Sequence, residues 1–443
     1  MTLMHTFFSD YGAASIAPSP VNRMMKAFAS DFRKNIDVNL GVGYVNEGTI
    51  PRAWIEEALN TVSTNTQVYR TPFNYGASRG STNLLKSIQK FLIKNGISGL
   101  NDNIFADKQI IVGANGATSL LEGAAQILKP GIVITADPIY YIYCDYLERI
   151  GYQVLAVPED ENGLSFDLIN EKIREFRIDP EEISFFYIIT VSNPTGTILS
   201  NSRIKDLVTG VTRLSNKQGR KIPIFFDRAY EGLIHDSQKQ PPNSGFFYDD
   251  IGIVYEIGTL SKILAPALRI GYMIGRDSPF LTAMIQRTSD VGFSAALVNQ
   301  EIASYLLDNY GSQQLDLVKN AYRKKADLVN QLVSSYLGRY LENFSGGHGG
   351  FYYYLTFSEI ETHEDSLFFK FLARTTGSTE IDGPKGAENP RVAYLPGSFC
   401  VHKQGKLIEV GKRQLRLSYG FESETHLEKA VILMKEAVDY AMT

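Results

Sequence analysis

The chain has 443 residues, 44% hydrophobic and 21% charged, a globular composition with length for one large core and a smaller one. Its 44 basic residues against 48 acidic ones, with a pI near 6.0, leave no basic field for a polyanion, so nucleic acid is not an expected partner. Cys144 and Cys400 lie far apart and outside any CxxC, and the six histidines show neither HExxH nor HxxxH spacing, so neither a disulfide framework nor a metal is expected.

The N-terminus MTLMHTFFSDYG carries no basic leader before its short apolar stretch, and no run approaches the roughly 18 apolar residues of a membrane span. A soluble, unexported, cytoplasmic protein with no membrane partner is expected. From about residue 50 to 320 helical patterns alternate with short apolar runs, which predicts an α/β sheet covered on both faces. LLKSIQKFLIKNG reads as an amphipathic helix stopped at Gly96. Strands are predicted at Ile110–Val112, Ile132–Pro138, Ile183–Thr190, Ile222–Asp227, Ile253–Gly258 and Ile270–Gly275, several of them rich in Ile, Val, Phe and Tyr without polar alternation. Beyond 320 come a helical stretch, NAYRKKADLVNQLVSSYL, and strand candidates around FYYYLTF, RVAYLP and RQLRLSYGF. These predict a smaller α/β domain from 1–49 and 321–443 beside a large one at 50–320, and TTGSTEIDGPKGAENP predicts a surface loop.

Chemistry concentrates at the strand ends. Lys262 follows an apolar strand, and Arg269 follows seven residues later in GTLSKILAPALRIGYMIG. A lysine there loses hydration, which lowers its pKa and frees a neutral amine for imine formation with an aldehyde. Thr259, Ser261 and Arg269 supply two hydroxyls and a forked cation, a set suited to a phosphate dianion. In IIVGANGATSLLEGAAQIL a strand runs through a Gly-rich turn into a helix, so the amides of Gly116, Ala117 and Thr118 are expected to face an anion. Neither GxGxxG nor a Walker sequence occurs, which disfavours nicotinamide and nucleotide readings. Asn193 closes a strand before a Pro-Thr-Gly turn, and Asp227 ends another with Tyr230 three residues on, where ligands of α/β sheets bind. A buried carboxylate there needs a partner, and a pyridinium N–H would satisfy it.

In order, these segments resemble the fold-type I pyridoxal 5'-phosphate (PLP) aminotransferases of the class I/II group over most of the chain. NYGASRGSTNLLKSI, SNPTG, DRAYEGL and GTLSKILAPALRIGY are similar to the branch holding 2-aminoadipate and kynurenine aminotransferases and the aminotransferase-like half of MocR regulators. The resemblance implies a large domain with a mostly parallel seven-stranded sheet and a smaller α/β domain. It implies a Schiff base between PLP and Lys262, Asp227 on the pyridine nitrogen, and Asn193 and Tyr230 on the ring 3'-oxygen. It also implies Tyr140 stacked on the ring, and Gly116, Ala117, Thr118, Thr259, Ser261 and Arg269 on the phosphate. Tyr75 would reach the phosphate of a neighbouring subunit, which implies a homodimer with shared active sites. The α-carboxylate of an amino acid or 2-oxo acid would be gripped by Arg416, with Asn193 and the backbone of Gly43 assisting. SPVNRMMKAF resembles a lid helix carrying Arg23 as a second substrate contact. LGVGYVNEGTIP and Ala117-Thr118-Ser119 depart from the usual wording, so side-chain specificity does not transfer. Carbon–sulfur β-elimination is an alternative chemistry with the same cofactor. A non-catalytic PLP sensor is another, disfavoured because fewer than about 50 residues precede the Gly43 region, too few for a DNA-binding domain.

Overall fold

A computed structural model describes residues 7–29 and 32–443. A two-residue strand β1 (Val38–Asn39) is followed by β2 (Lys108–Val112), β3 (Ile132–Asp137), β4 (Gln153–Pro158), β5 (Ile183–Ile189), β6 (Ile224–Asp227), β7 (Val254–Thr259) and β8 (Gly271–Arg276). The last seven form one sheet in the order β2-β8-β7-β6-β5-β3-β4, in which only β8 runs against its neighbours. The expected mostly parallel seven-stranded sheet is therefore present.

The lack of polar alternation in the central strands follows from burial on both faces. Along β5, Phe186 and Ile188 enter one core, and Phe185 and Tyr187 the core on the opposite face. Six of the seven strands lie where predicted, within a residue or two at each end. The strand β4 was missed. It is the sheet edge, pairs only with β3, and mixes exposed Gln153 with half-buried Val154 and Leu155, so it lacks the continuous buried run of its neighbours.

The predicted helix LLKSIQKFLIKNG forms as Thr82–Lys94, with Ser81 accepting from the Leu84 amide at 3.1 Å and Gly96 left-handed at φ 60° just past its end. NAYRKKADLVNQLVSSYL proves to be the second half of a 40-residue helix, Leu297–Tyr336. The expected domain boundary at 320 thus falls inside a continuous helix. Beyond it β9 (Leu341–Gly346), β10 (Tyr352–Phe357), β11 (Val392–Ala393), β12 (Leu395–Pro396) and β13 (Gln414–Ser418) appear. A four-stranded antiparallel sheet has the order β12-β13-β10-β9, while β11 pairs in parallel with β1. β9 was not anticipated: its six residues, Leu341–Gly346, are nowhere fully buried. Among the described residues no helix is long and apolar enough to cross a membrane. The expected loop TTGSTEIDGPKGAENP is irregular apart from one helical turn, Thr379–Asp382.

Candidate active site

The C-terminal ends of β3, β5, β6 and β7 open on a cavity of about 400 Å³. β7 and β8 are antiparallel and pair Thr259 with Gly271, so residues 260–270 leave the sheet and return as a closed excursion. That hairpin puts Ser261, Lys262 and Arg269 together on the cavity wall. It explains the seven-residue spacing: the turn Pro266–Leu268 ends on Arg269 in the left-handed region, φ 56°, which aims the guanidinium at the Gly116 turn.

The part-buried Lys262 amine donates to the Gly43 carbonyl at 3.2 Å and lies 5.4 Å from the Tyr230 ring centre and 5.5 Å from that of Phe351. Burial, then the charges of Arg416 and Arg269, bring its pKa down to about 8 against the pull of Asp227. Asp227 is buried at the end of β6; Tyr187 Oη donates to its Oδ2 at 2.9 Å and the Ala229 amide to its Oδ1 at 3.0 Å. Burial raises its pKa, opposed by those two donors and by Lys262. Tyr187 was not anticipated, although its two-residue offset from Ile189, the register partner of Asp227, puts it on the same sheet face.

Arg416, on β13 and 2% exposed, donates through Nη1 to Asn193 Oδ1 at 2.7 Å and through Nη2 to the Gly41 carbonyl at 2.6 Å. Its Nε has no hydrogen-bond partner, and its guanidinium sits 4.4 Å over the Tyr352 ring. Tyr352 is a second residue the motifs did not show, and Tyr141, whose burial lifts its pKa to about 12, is a third.

Ala117, Thr118, Thr259, Ser261 and Arg269 line one end of the cavity; Tyr140, Asn193, Asp227, Tyr230, Gly43 and Arg416 line the rest. The helix Gly116–Ile127 begins here, and its N-cap Asn115 makes no side-chain capping bond. Gly116 is the exception among the expected amide donors. Its N–H donates to the Arg269 carbonyl at 2.8 Å, so it ties the turn to the hairpin, and Ala117 and Thr118 remain at the helix start. Gly271 allows that approach, since a Cβ there would come 2.1 Å from the Ala117 nitrogen.

Arg23 does not join the cavity. The helix Pro20–Ala29 presents Asn22 and Met25 to it, while Arg23 is exposed with its charge acting on Glu364. Helix phase decides this: the cavity-facing positions, three apart, straddle position 23. Tyr75 is 81% exposed, against Phe293 at 5.6 Å, and lies outside the cavity of its own chain.

The donor set fits pyridoxal 5'-phosphate. An anion end is made of a helix start, two hydroxyls and an arginine, and an amine of lowered basicity lies beside it. The carboxylate Asp227 accepts from two donors and lines the same cavity, as does the guanidinium of Arg416.

A family model described as aminotransferase class I and II matches residues 35–373. The chain is 22% identical over 417 residues to an uncharacterized aminotransferase of Saccharolobus solfataricus, covering 93% of each. It is 23% identical over 404 residues to the HTH-type transcriptional regulator NorG of Staphylococcus aureus, covering 89% of this chain and 79% of that protein. Its fold is similar to that of Pyrococcus horikoshii kynurenine aminotransferase in complex with PMP, at a TM-score of 0.79 and 21% identity over the whole of both chains.

Proposed function

The chain belongs to the class I and II aminotransferases, PLP-dependent enzymes of fold type I, and on that premise we propose that Lys262 is the residue that binds the cofactor covalently. The supporting observation is the meeting of Lys262, Asp227 and Arg416, from the hairpin, the large sheet and the small sheet, in one cavity. The reaction moves an amino group between an L-amino acid and a 2-oxo acid.

PLP supplies an aldehyde that condenses with amines and a pyridinium ring that accepts the electron pair left on the substrate α-carbon. Asp227 keeps the ring nitrogen protonated, since a buried carboxylate without a cationic partner is costly, and Tyr187 holds its orientation. Ala117, Thr118, Thr259, Ser261 and Arg269 would hold the phosphate, Tyr140 would stack on the ring, and Asn193 and Tyr230 would hydrogen-bond the ring 3'-oxygen. Arg416 grips the substrate α-carboxylate, using the fork that already holds Asn193 and Gly41 as its frame. Lys262 Nζ would move the proton between the substrate α-carbon and the cofactor C4', one base serving both transfers. With a pKa of about 8 the amine is substantially neutral at mildly alkaline pH.

The assignment of Lys262 and Asp227 to a large unit, residues 50–320, and of Gly43 and Arg416 to a smaller one, 1–49 with 321–443, is part of this proposal. So is a homodimer: exposed Val68, Phe73, Tyr75 and Val291 offer an apolar face, and Tyr75 would reach the partner's phosphate site. Mixing Tyr75→Phe and Lys262→Ala subunits, each crippled alone, should restore part of the activity in hybrids.

The deciding experiment is the absorption spectrum of the protein with PLP, titrated with amino acids and then with 2-oxoglutarate. A band that collapses with an amino acid and returns with the oxo acid demonstrates both half-reactions. Binding without turnover would place the chain functionally with the regulators, and pyruvate and ammonia released from cysteine conjugates would make it a lyase. Lys262→Ala should retain binding and lose multiple turnover.

A further inference from the structure

The second phenol of the site, Tyr352, has no place in the motifs, yet it touches three of the residues they singled out. Its Oη lies 2.9 Å from Tyr230 Oη, its ring carries the Arg416 guanidinium at 4.4 Å, and a Cβ on Gly43 would come 2.8 Å from its hydroxyl. It lines the cavity from β10 and is 1% exposed, against Tyr230 at 8%. Its ring is fixed edge-on to Tyr230 at 5.5 Å and against Phe351 at 4.8 Å, so its hydroxyl has little freedom to turn elsewhere.

Building on the assignment of Tyr230 to the ring 3'-oxygen, we propose that Tyr352 is a positioning residue of this active site. Its hydroxyl donates to Tyr230, which donates in turn to the ring oxygen, while its ring supports Arg416 from beneath. A hydroxyl has one proton to give. Once Tyr230 gives it to an oxygen anion, its lone pairs face Tyr352, and a donor there polarises the Tyr230 hydroxyl and strengthens its own donation. Burial raises the pKa of both phenols, so both keep their protons at working pH. Among the described residues, the other titratable groups facing the pair include Tyr140, Tyr141, Tyr322, Tyr419, Lys262 and Arg416. Gly43 follows as a consequence: its lack of a side chain makes room for the Tyr352 hydroxyl.

The test compares Tyr352→Phe, Tyr352→Leu, Tyr230→Phe and the Tyr230→Phe/Tyr352→Phe pair, all loaded with PLP. A donor on the ring oxygen competes with proton retention by the neighbouring imine nitrogen, so removing it raises the pH at which the cofactor absorption band titrates. For Tyr352→Phe the midpoint should rise by about half to one pH unit and kcat fall about three- to tenfold, the size of one hydrogen bond. KM should stay within about twofold, because the ring under Arg416 remains. Tyr352→Leu should show the same midpoint change and a raised KM as well. In the Tyr230→Phe background, Tyr352→Phe should move the midpoint no further. Gly43→Ala should lower PLP affinity in the unmodified protein and be relieved by Tyr352→Phe. An unmoved midpoint in Tyr352→Phe, or full additivity in the pair, would overturn the proposal while leaving the aminotransferase reading intact. Absence of any cofactor band in the unmodified protein would overturn both.

Discussion

Replacing Arg416 tests two roles at once. The guanidinium is 2% exposed, holds Asn193 and Gly41 through its two Nη atoms, and stands second among the causes that lower the Lys262 pKa to about 8. Arg416→Met removes charge and fork; Arg416→Lys keeps the charge and loses the fork. A charge-assisted hydrogen bond contributes about 1.5–3 kcal/mol, so either variant should raise the KM for amino acids about ten- to 150-fold. The two separate at Lys262. In the apoprotein the rate of cofactor capture tracks the free-amine fraction, with a midpoint near pH 8 in the unmodified chain. Arg416→Met should move that midpoint upward, yet leave it below about 9, because burial, the larger cause, is untouched. Arg416→Lys should leave it near its starting point. Stopped-flow uptake of PLP across pH 6.5–10 measures it. A midpoint unmoved or lowered in Arg416→Met refutes the electrostatic reasoning, and an unchanged KM in both variants refutes Arg416 as the carboxylate ligand.

Lys262 is also linked to stability. Its folded pKa lies below the unfolded value, so between pH 8 and 9.5 it binds more proton in the unfolded chain and its contribution to apoprotein stability rises with pH. Unfolding titrations should show about 1–2 kcal/mol more gain over that window in the unmodified chain than in Lys262→Met, and equal gains would contradict a lowered pKa. Asp227→Asn removes the negative charge opposite the ring nitrogen, so kcat should fall about 10²- to 10³-fold with PLP still bound. Tyr187→Phe, which removes only a donor to Asp227, should cost about three- to tenfold in kcat. Asp37 is 1% exposed; burial works to raise its pKa, but hydrogen bonds from Arg33 and Arg391 hold it far below the usual carboxylate range. Its contribution is complete above about pH 4 and fades as acid protonates it, so Asp37→Asn should flatten the acid limb of the stability curve measured by urea melts.

Much of this site is legible along the chain because a parallel sheet makes it so. Strands buried on both faces are written as largely apolar runs, and polar residues at or just beyond their ends, Asn193, Asp227 and Thr259, stand at the crevice. Lys262 and Arg269 could be paired from spacing alone, since a short excursion between adjacent strands must return. What the one-dimensional pattern could not decide was direction and distance. Whether the helix Pro20–Ala29 shows the cavity Arg23 or Asn22 and Met25 depends on its phase against the rest of the fold. The Gly116 amide looked available until the hairpin brought the Arg269 carbonyl to 2.8 Å. β4 was hidden because an edge strand is wetted and loses the apolar signature. Tyr187 and Tyr352 read as two more aromatic core residues, and each became part of the site only when packing carried its hydroxyl to Asp227 or to Tyr230, across 40 and 122 residues of sequence. Local chemistry names the groups a chain can offer; a hydroxyl's partner lies wherever strand pairing and helix packing close the distance, and that is settled by contacts remote in sequence.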